Sequence, residues 1–224
     1  MTDEQKLHFE AVHLILTGLF TEAREAYRNE LRADRELLQN RAAAGFAVVE
    51  DHDLIKIKRK ASGKLPDRKF LYVGSPKHTR DPITGIWLRW DFEQTPYEFR
   101  LFLGHWSKVE EDRSFVAFRF DAPEVGEDHN FFHCQPCRNF GDRDPVPKAA
   151  LVSEHFPTVP LLASDIVELT ICAVKALKGQ KDAKSFLSGL IRDSGSASNR
   201  ALGDAYVRHF NIKPTVVLAA EPRG

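Results

Sequence analysis

The sequence predicts an α+β fold, a central antiparallel β-sheet of about five to seven strands flanked by N-terminal and C-terminal helices. Three observations carry this reading. Apolar residues recur at helical spacing near both ends of the chain. Between Ile86 and Gln135, strand-like runs alternate apolar and charged residues, the period of a sheet with one greasy face. Helical and strand segments are grouped rather than interleaved, which argues against βαβ units. With 224 residues, 42% of them apolar and 16 of them Phe, the chain has material for a real core. It is read as a single domain over 1–224.

The elements follow in order. Residues 1–44 are read as helical. Thr2 followed by Gln5 forms a capping box, so a helix begins at once. Leu7, Val12, Leu14, Ile15 and Leu19 give it an apolar stripe. Gly18 and Thr21 predict a break, with a second helix from Glu22 to about Leu38 and Gly45 as the stop. The sheet occupies 46–135. Phe46–Val49 and Leu54–Lys58 flank an acidic turn and predict a hairpin. Ala61–Asp67 reads as a loop, Phe70–Val73 as a short strand and Ser75–Gly85 as a Pro- and Gly-punctuated loop. The main strands are Ile86–Glu93, Tyr97–Trp106, Ser114–Ala122 and Asn130–Gln135. Gln94–Pro96 and Ser107–Arg113 provide the first two connections. A proline-rich loop covers 136–163. C-terminal helices fill 164–211: Ser164–Asp165 opens one with Glu168 as capping partner, and Gly179 stops it. Lys181–Arg192 is the next helix, Ser194–Ser198 a connection, and Asn199–Phe210 the last helix. The tail, 212–224, is apolar at Val216–Leu218.

Composition excludes several classes. The 32 basic and 32 acidic residues balance, so net charge provides no long-range pull toward nucleic acid or anionic membrane. A nucleic-acid role requires a local basic patch. The run Lys56–Lys60 is short and reads as a solvated strand face. The N-terminus carries acids where a secretory signal needs bases, and His8, Glu10 and His13 interrupt its apolar residues, so neither a signal nor a membrane span is expected. Three cysteines without an export signal imply free thiols and a cytoplasmic setting. No phosphate loop, dinucleotide fingerprint, nucleophile elbow or His-Glu-x-x-His helix occurs, and no cofactor is expected.

The candidate site is the charged side of the sheet. Residues two apart on a strand share a face. If hairpin-linked strands are neighbours, one face gathers Arg89, Asp91, Glu98, Arg100, Arg119, Asp121, His133 and Gln135. Arginines there supply forked donors for phosphate or carboxylate. His133 can move a proton near neutral pH, and Asp121 can orient it. The alternative is a water-facing sheet whose charges pair across strands, each pair stabilising by about 0.2–1 kcal/mol. His129, His133, Cys134 and Cys137 supply the count of a zinc site. On a strand, however, His133 and Cys134 point to opposite faces, so no metal is expected.

The run Phe118-Arg119-Phe120-Asp121-Ala122-Pro123, followed by His129 and His133, resembles TumE-type toxins of bacterial toxin–antitoxin loci. The likeness covers residues 86–137, and the long helical ends and Cys134–Gln135 depart from the family pattern. It implies Arg119, Asp121, His129 and His133 as site residues and a role in a toxin or phage-defence locus. Two functional readings are carried forward. In the first, an enzyme acts on a phosphodiester such as RNA. Arg119, Asp121 and His133 are then catalytic, and Arg89, Asp91, Arg100, His129 and Gln135 bind. In the second, the chain is a non-catalytic subunit that meets a protein partner or a further copy of itself through its helices, loop and tail.

Overall fold

The computed structural model describes residues 1–26, 47–48, 54, 57, 60–64, 69–72, 83–106, 115–123, 126, 130–137, 158–193 and 197–211. Helix α1 spans Asp3–Ala26. The strands are β1 (Ala47–Val48), β2 (Ser62–Lys64), β3 (Lys69–Tyr72), β4 (Ile83–Asp91), β5 (Glu98–Trp106), β6 (Phe115–Asp121), β7 (His133–Cys137) and β8 (Val159–Pro160). Helices α2 (Ile166–Lys178), α3 (Gln180–Asp193) and α4 (Ala197–Asn211) follow β8. The fold is α+β, with helices at both ends of an antiparallel sheet. The strands run in the order β1-β3-β4-β5-β6-β7-β8, with β2 paired to β4. All pairings are antiparallel except β1 with β3. Among the described residues no helix is long and apolar enough to cross a membrane.

The capping box at the start of α1 is formed: Gln5 Oε1 accepts from Thr2 N at 2.7 Å, and Thr2 Oγ1 accepts from Gln5 N at 3.1 Å. The predicted break at Gly18 and Thr21 does not occur, and Glu22 continues the same helix. Gly18 serves packing instead. A Cβ built there would lie 2.6 Å from Leu190 Cδ2 of α3, so its missing side chain is what lets α3 approach. The buried stripe of α1 is Phe9, Val12, Ile15, Leu16 and Leu19, whereas Leu7 and Leu14 are only half-buried.

The predicted hairpin before the sheet is also overturned. Ala47–Val48 runs parallel to β3, and Leu54 and Ile57 sit in helical backbone, both buried. Two apolar residues three apart share a helical face as readily as alternating ones share a strand face. The Leu54 carbonyl meets His13 Nε2 at 2.7 Å, which ties this segment to α1. The segment read as a loop over Ala61–Asp67 contains β2, and the proline-rich loop contributes Pro136 to β7 and Val159–Pro160 as β8. The predicted end of the second helix, the 107–113 connection and the 212–224 tail lie outside the described residues.

The helices cover the apolar face of the sheet. Phe9 of α1 packs its ring 5.2 Å from those of Trp90 and Phe92, and α2 contacts β5 and β6. Trp90, Phe99, Leu101, Leu169 and Ile171 are among the fully buried side chains, each stabilising by about 1.5–3 kcal/mol. At the N-terminus of α2, Asp165 Oδ1 accepts from Val167 N and Glu168 N at 2.8 Å each. Glu168 Oε2 reaches back to Ser164 N at 2.7 Å and Ser164 Oγ at 3.0 Å, so the reciprocal half of the cap falls on Ser164 rather than on Asp165. Glu168 Oε1 is bound by Arg208 Nε and Asp165 Oδ2 by Arg208 Nη2 at 3.0 Å. That node lashes the end of α4 to the start of α2. Gly179 ends α2 at φ 78°, the left-handed region that glycine tolerates best.

Candidate functional site: a charged ladder across four strands

Register places the predicted residues on one face. Arg89 of β4 lies directly opposite Arg100 of β5, which lies opposite Asp121 of β6, which lies opposite His133 of β7. The adjacent row runs Trp87, Phe102, Arg119, Gln135. Leu88, Trp90, Leu101 and Phe120 point the other way, toward the helices. Cys134 also lies on that side, opposite Phe120 and one residue out of phase with His133.

Two carboxylates organise the cations. Like charges directly opposite one another are unfavourable, and Arg89 faces Arg100. Glu98, two residues along β5, resolves the conflict: its Oε1 lies 3.0 Å from Arg89 Nε and 3.3 Å from Arg100 Nε. Asp121 plays the same part on β6. Its Oδ2 accepts from Arg119 Nε at 2.6 Å and meets His133 Nε2 at 3.2 Å. The Gln135 amide, with its oxygen turned to Arg119, accepts from that guanidinium and donates to Thr158 Oγ1 at 3.3 Å. The structure thus brings Arg119, Asp121, His133 and Gln135 into hydrogen-bond reach, with Arg89 and Arg100 joined through Glu98.

Asp91 stands apart. It caps the turn after β4, accepting from Glu93 N at 3.0 Å and from Gln94 Nε2 at 2.7 Å. The Gln94 bond, then that of Glu93, hold its carboxyl below the usual range. His129 lies outside the described residues.

Burial within the cluster is uneven. Asp121 is 1% exposed and His133 4%, whereas the side chains of Arg89, Arg100 and Arg119 are 38%, 23% and 26% exposed. Burial, the largest single influence on His133, lowers its pKa. The Asp121 hydrogen bond and the Phe131 carbonyl, 2.8 Å from Nδ1, outweigh it together and raise the pKa above the ordinary 6.5. With an acceptor facing each ring nitrogen, an imidazolium that donates both ways fits the site best. Both of its protons point at protein acceptors. For His133 to pass a proton to substrate, one of these bonds has to open. Asp121 is also unevenly used: Oδ2 has two donors, while Oδ1 is buried and has no hydrogen-bond partner among the described residues.

Several contributors escaped the sequence reading. Trp87 and Phe102 lie on the charged face, 6% and 3% exposed, with rings 4.7 Å apart edge to face. Trp87 sits two residues before Arg89, so the two-residue period was enough to find it. Thr158 and the Phe131 carbonyl carried no signal, because a residue far along the chain and a backbone oxygen leave no pattern. The thiols are pushed up by burial, Cys134 to about 12 and Cys172 to about 11. They stay protonated at neutral pH and are poor nucleophiles. Among the described residues no group of His, Cys, Asp and Glu is arranged to hold a metal ion.

No protein-family model matches the chain, nor does any curated protein or solved structure.

Proposed function

We propose that the charged face binds the phosphodiester backbone of a nucleic acid and that the Arg119–Asp121–His133 cluster acts on it. The observation that carries this reading is the placement of three partly exposed guanidinium groups, Arg89, Arg100 and Arg119, on three neighbouring strands of one face. Guanidinium forks match phosphate oxygens, and successive strands about 5 Å apart present them as a row. Each is oriented by a carboxylate, Arg89 and Arg100 by Glu98 and Arg119 by Asp121, which keeps His133 as a second partner. In a cleavage step a water or hydroxyl oxygen attacks phosphorus as the bond to the leaving oxygen breaks, its proton passing to solvent. The arginines stabilise the charge on the phosphorus-bound oxygens, and His133, once its bond to Asp121 opens, gives its proton to the leaving oxygen. Action on RNA suits the toxin or phage-defence setting that the Phe118–Pro123 likeness implies.

The test is binding of labelled single-stranded RNA and DNA by fluorescence anisotropy across a salt series, with electrophoresis of the same samples for cleavage. Arg89→Ala and Arg100→Ala are each expected to weaken binding of every sequence and to lower the salt slope by about 1. His133→Ala is expected to abolish cleavage. No binding at low salt, or binding indifferent to both arginines, refutes the reading.

A second reading, a non-catalytic subunit that binds a protein partner, is supported by apolar side chains left exposed around β6–β8: Phe118, Phe131, Val159 and, at 88% exposure, Leu162. Co-purification from the native host with light scattering tests it, and a monomer that retains nothing counts against it.

A further inference from the structure

We infer that Asp121 Oδ1 is the acceptor for a sugar hydroxyl of the bound strand, so that the ligand of this face is a ribonucleotide chain and not a deoxyribonucleotide chain. The inference rests on the phosphodiester reading above and narrows it. Asp121 is 1% exposed. Its Oδ2 is served by both Arg119 and His133, while Oδ1 has no hydrogen-bond partner among the described residues. A buried carboxylate oxygen without a donor is costly, and an ionised carboxylate can only accept. The missing group is therefore a donor.

The place of Asp121 in the ladder points to the donor. Asp121 lies directly opposite Arg100 and two residues from Arg119, beside the row that takes the phosphates. A deoxyribose-phosphate backbone has acceptors only. A ribose-phosphate backbone adds one donor per residue, the 2′-hydroxyl, immediately next to the phosphate. Access runs through Arg119, which both touches Asp121 and reaches solvent. When its guanidinium transfers to a phosphate, the carboxylate is uncovered to the neighbouring sugar. The hydroxyl then donates to Oδ1, and His133 continues to hold Oδ2.

The experiment compares three single strands of one sequence, RNA, DNA and 2′-O-methyl RNA, by anisotropy at one salt concentration. All three carry the same phosphate charges, and the methylated strand keeps the ribose oxygen but cannot donate. One hydrogen bond to a charged acceptor corresponds to about 10-fold in affinity. Wild-type protein is expected to bind RNA about 10-fold more tightly than either other strand. Asp121→Asn is expected to shrink the ratio of RNA to DNA affinity toward 1, whatever its effect on both strands through Arg119. The wild-type arm decides even where the variant does not fold. Equal affinity for RNA and 2′-O-methyl RNA overturns the inference, because the donor is then a base or nothing. If all three strands bind equally and the arginine variants weaken all of them, this inference falls and the phosphodiester reading stands. If none binds, both fall.

Discussion

Replacing Asp121 with Asn keeps the shape of the side chain and removes the charge that orders the cluster. Two charge-assisted hydrogen bonds are lost, to Arg119 and to His133, each of a kind that contributes about 1.5–3 kcal/mol. Arg119 is 26% exposed and regains water, so its share is discounted. A destabilisation of about 2–4 kcal/mol is expected on the acid side of neutrality. For a protein of this size that lowers Tm by roughly 2–4 °C per kcal/mol. The cost depends on pH, with a definite sign. In the wild type the pKa of His133 is raised above 6.5. The stability from its imidazolium is therefore fully present below 6.5 and is lost as pH rises through the folded value. In the variant the raising partner is gone and burial dominates, so the His133 pKa falls below 6.5 and the buried ring resists protonation. The difference between the two proteins is thus largest on the acid side of 6.5 and shrinks as pH rises through the raised His133 value. Urea unfolding at a series of pH values reads the energy, and an NMR titration of the His133 ring reads the pKa in both proteins. A pH-independent difference, or a His133 pKa unmoved by the substitution, refutes the picture of an imidazolium held by Asp121.

Substitutions at three further positions test the packing that supports the sheet. Glu168→Ala removes the acceptor of Ser164 N, Ser164 Oγ and Arg208 Nε and is expected to destabilise by about 2–4 kcal/mol. Arg208→Ala added to it should cost little more, because much of the Arg208 contribution runs through Glu168. Urea midpoints of the single and double variants check this, and additivity within about 0.5 kcal/mol contradicts the node. Gly18→Val drives a side chain into Leu190 and is expected to cost about 1–3 kcal/mol by overpacking. Gly18→Ala should cost less, since it recovers about 0.5–1 kcal/mol of helix propensity. Thermal melts that leave the valine variant at wild-type stability exclude close packing of α3 on α1.

Much of the site was legible because its rules are local. Alternation along β4, β5 and β6 assigned Arg89, Arg100, Arg119 and Asp121 to one side, and short connections made neighbours of consecutive strands. Asp91 was assigned to the same side by the same rule, yet its carboxylate was claimed by the turn that follows. An Asp at a strand end has backbone donors within reach that a mid-strand Asp lacks.

By itself, the chain's pattern of side chains determined the class of fold, the caps of α1 and α2, the direction each main strand turns its charges and which residues share the ladder. These depend on separations of two to four residues, where backbone geometry leaves few choices. Only tertiary structure decided the rest. Gly18 became a packing contact because Leu190 is pressed against it. Ala47–Val48 became a parallel edge strand, and Leu54 and Ile57 a buried helical turn against α1. His133 acquired an acceptor on each ring nitrogen, and Asp121 kept one oxygen without a donor. Each of these outcomes is set by what lies across a packed interface or a strand pairing, and the groups that meet there come from distant parts of the chain.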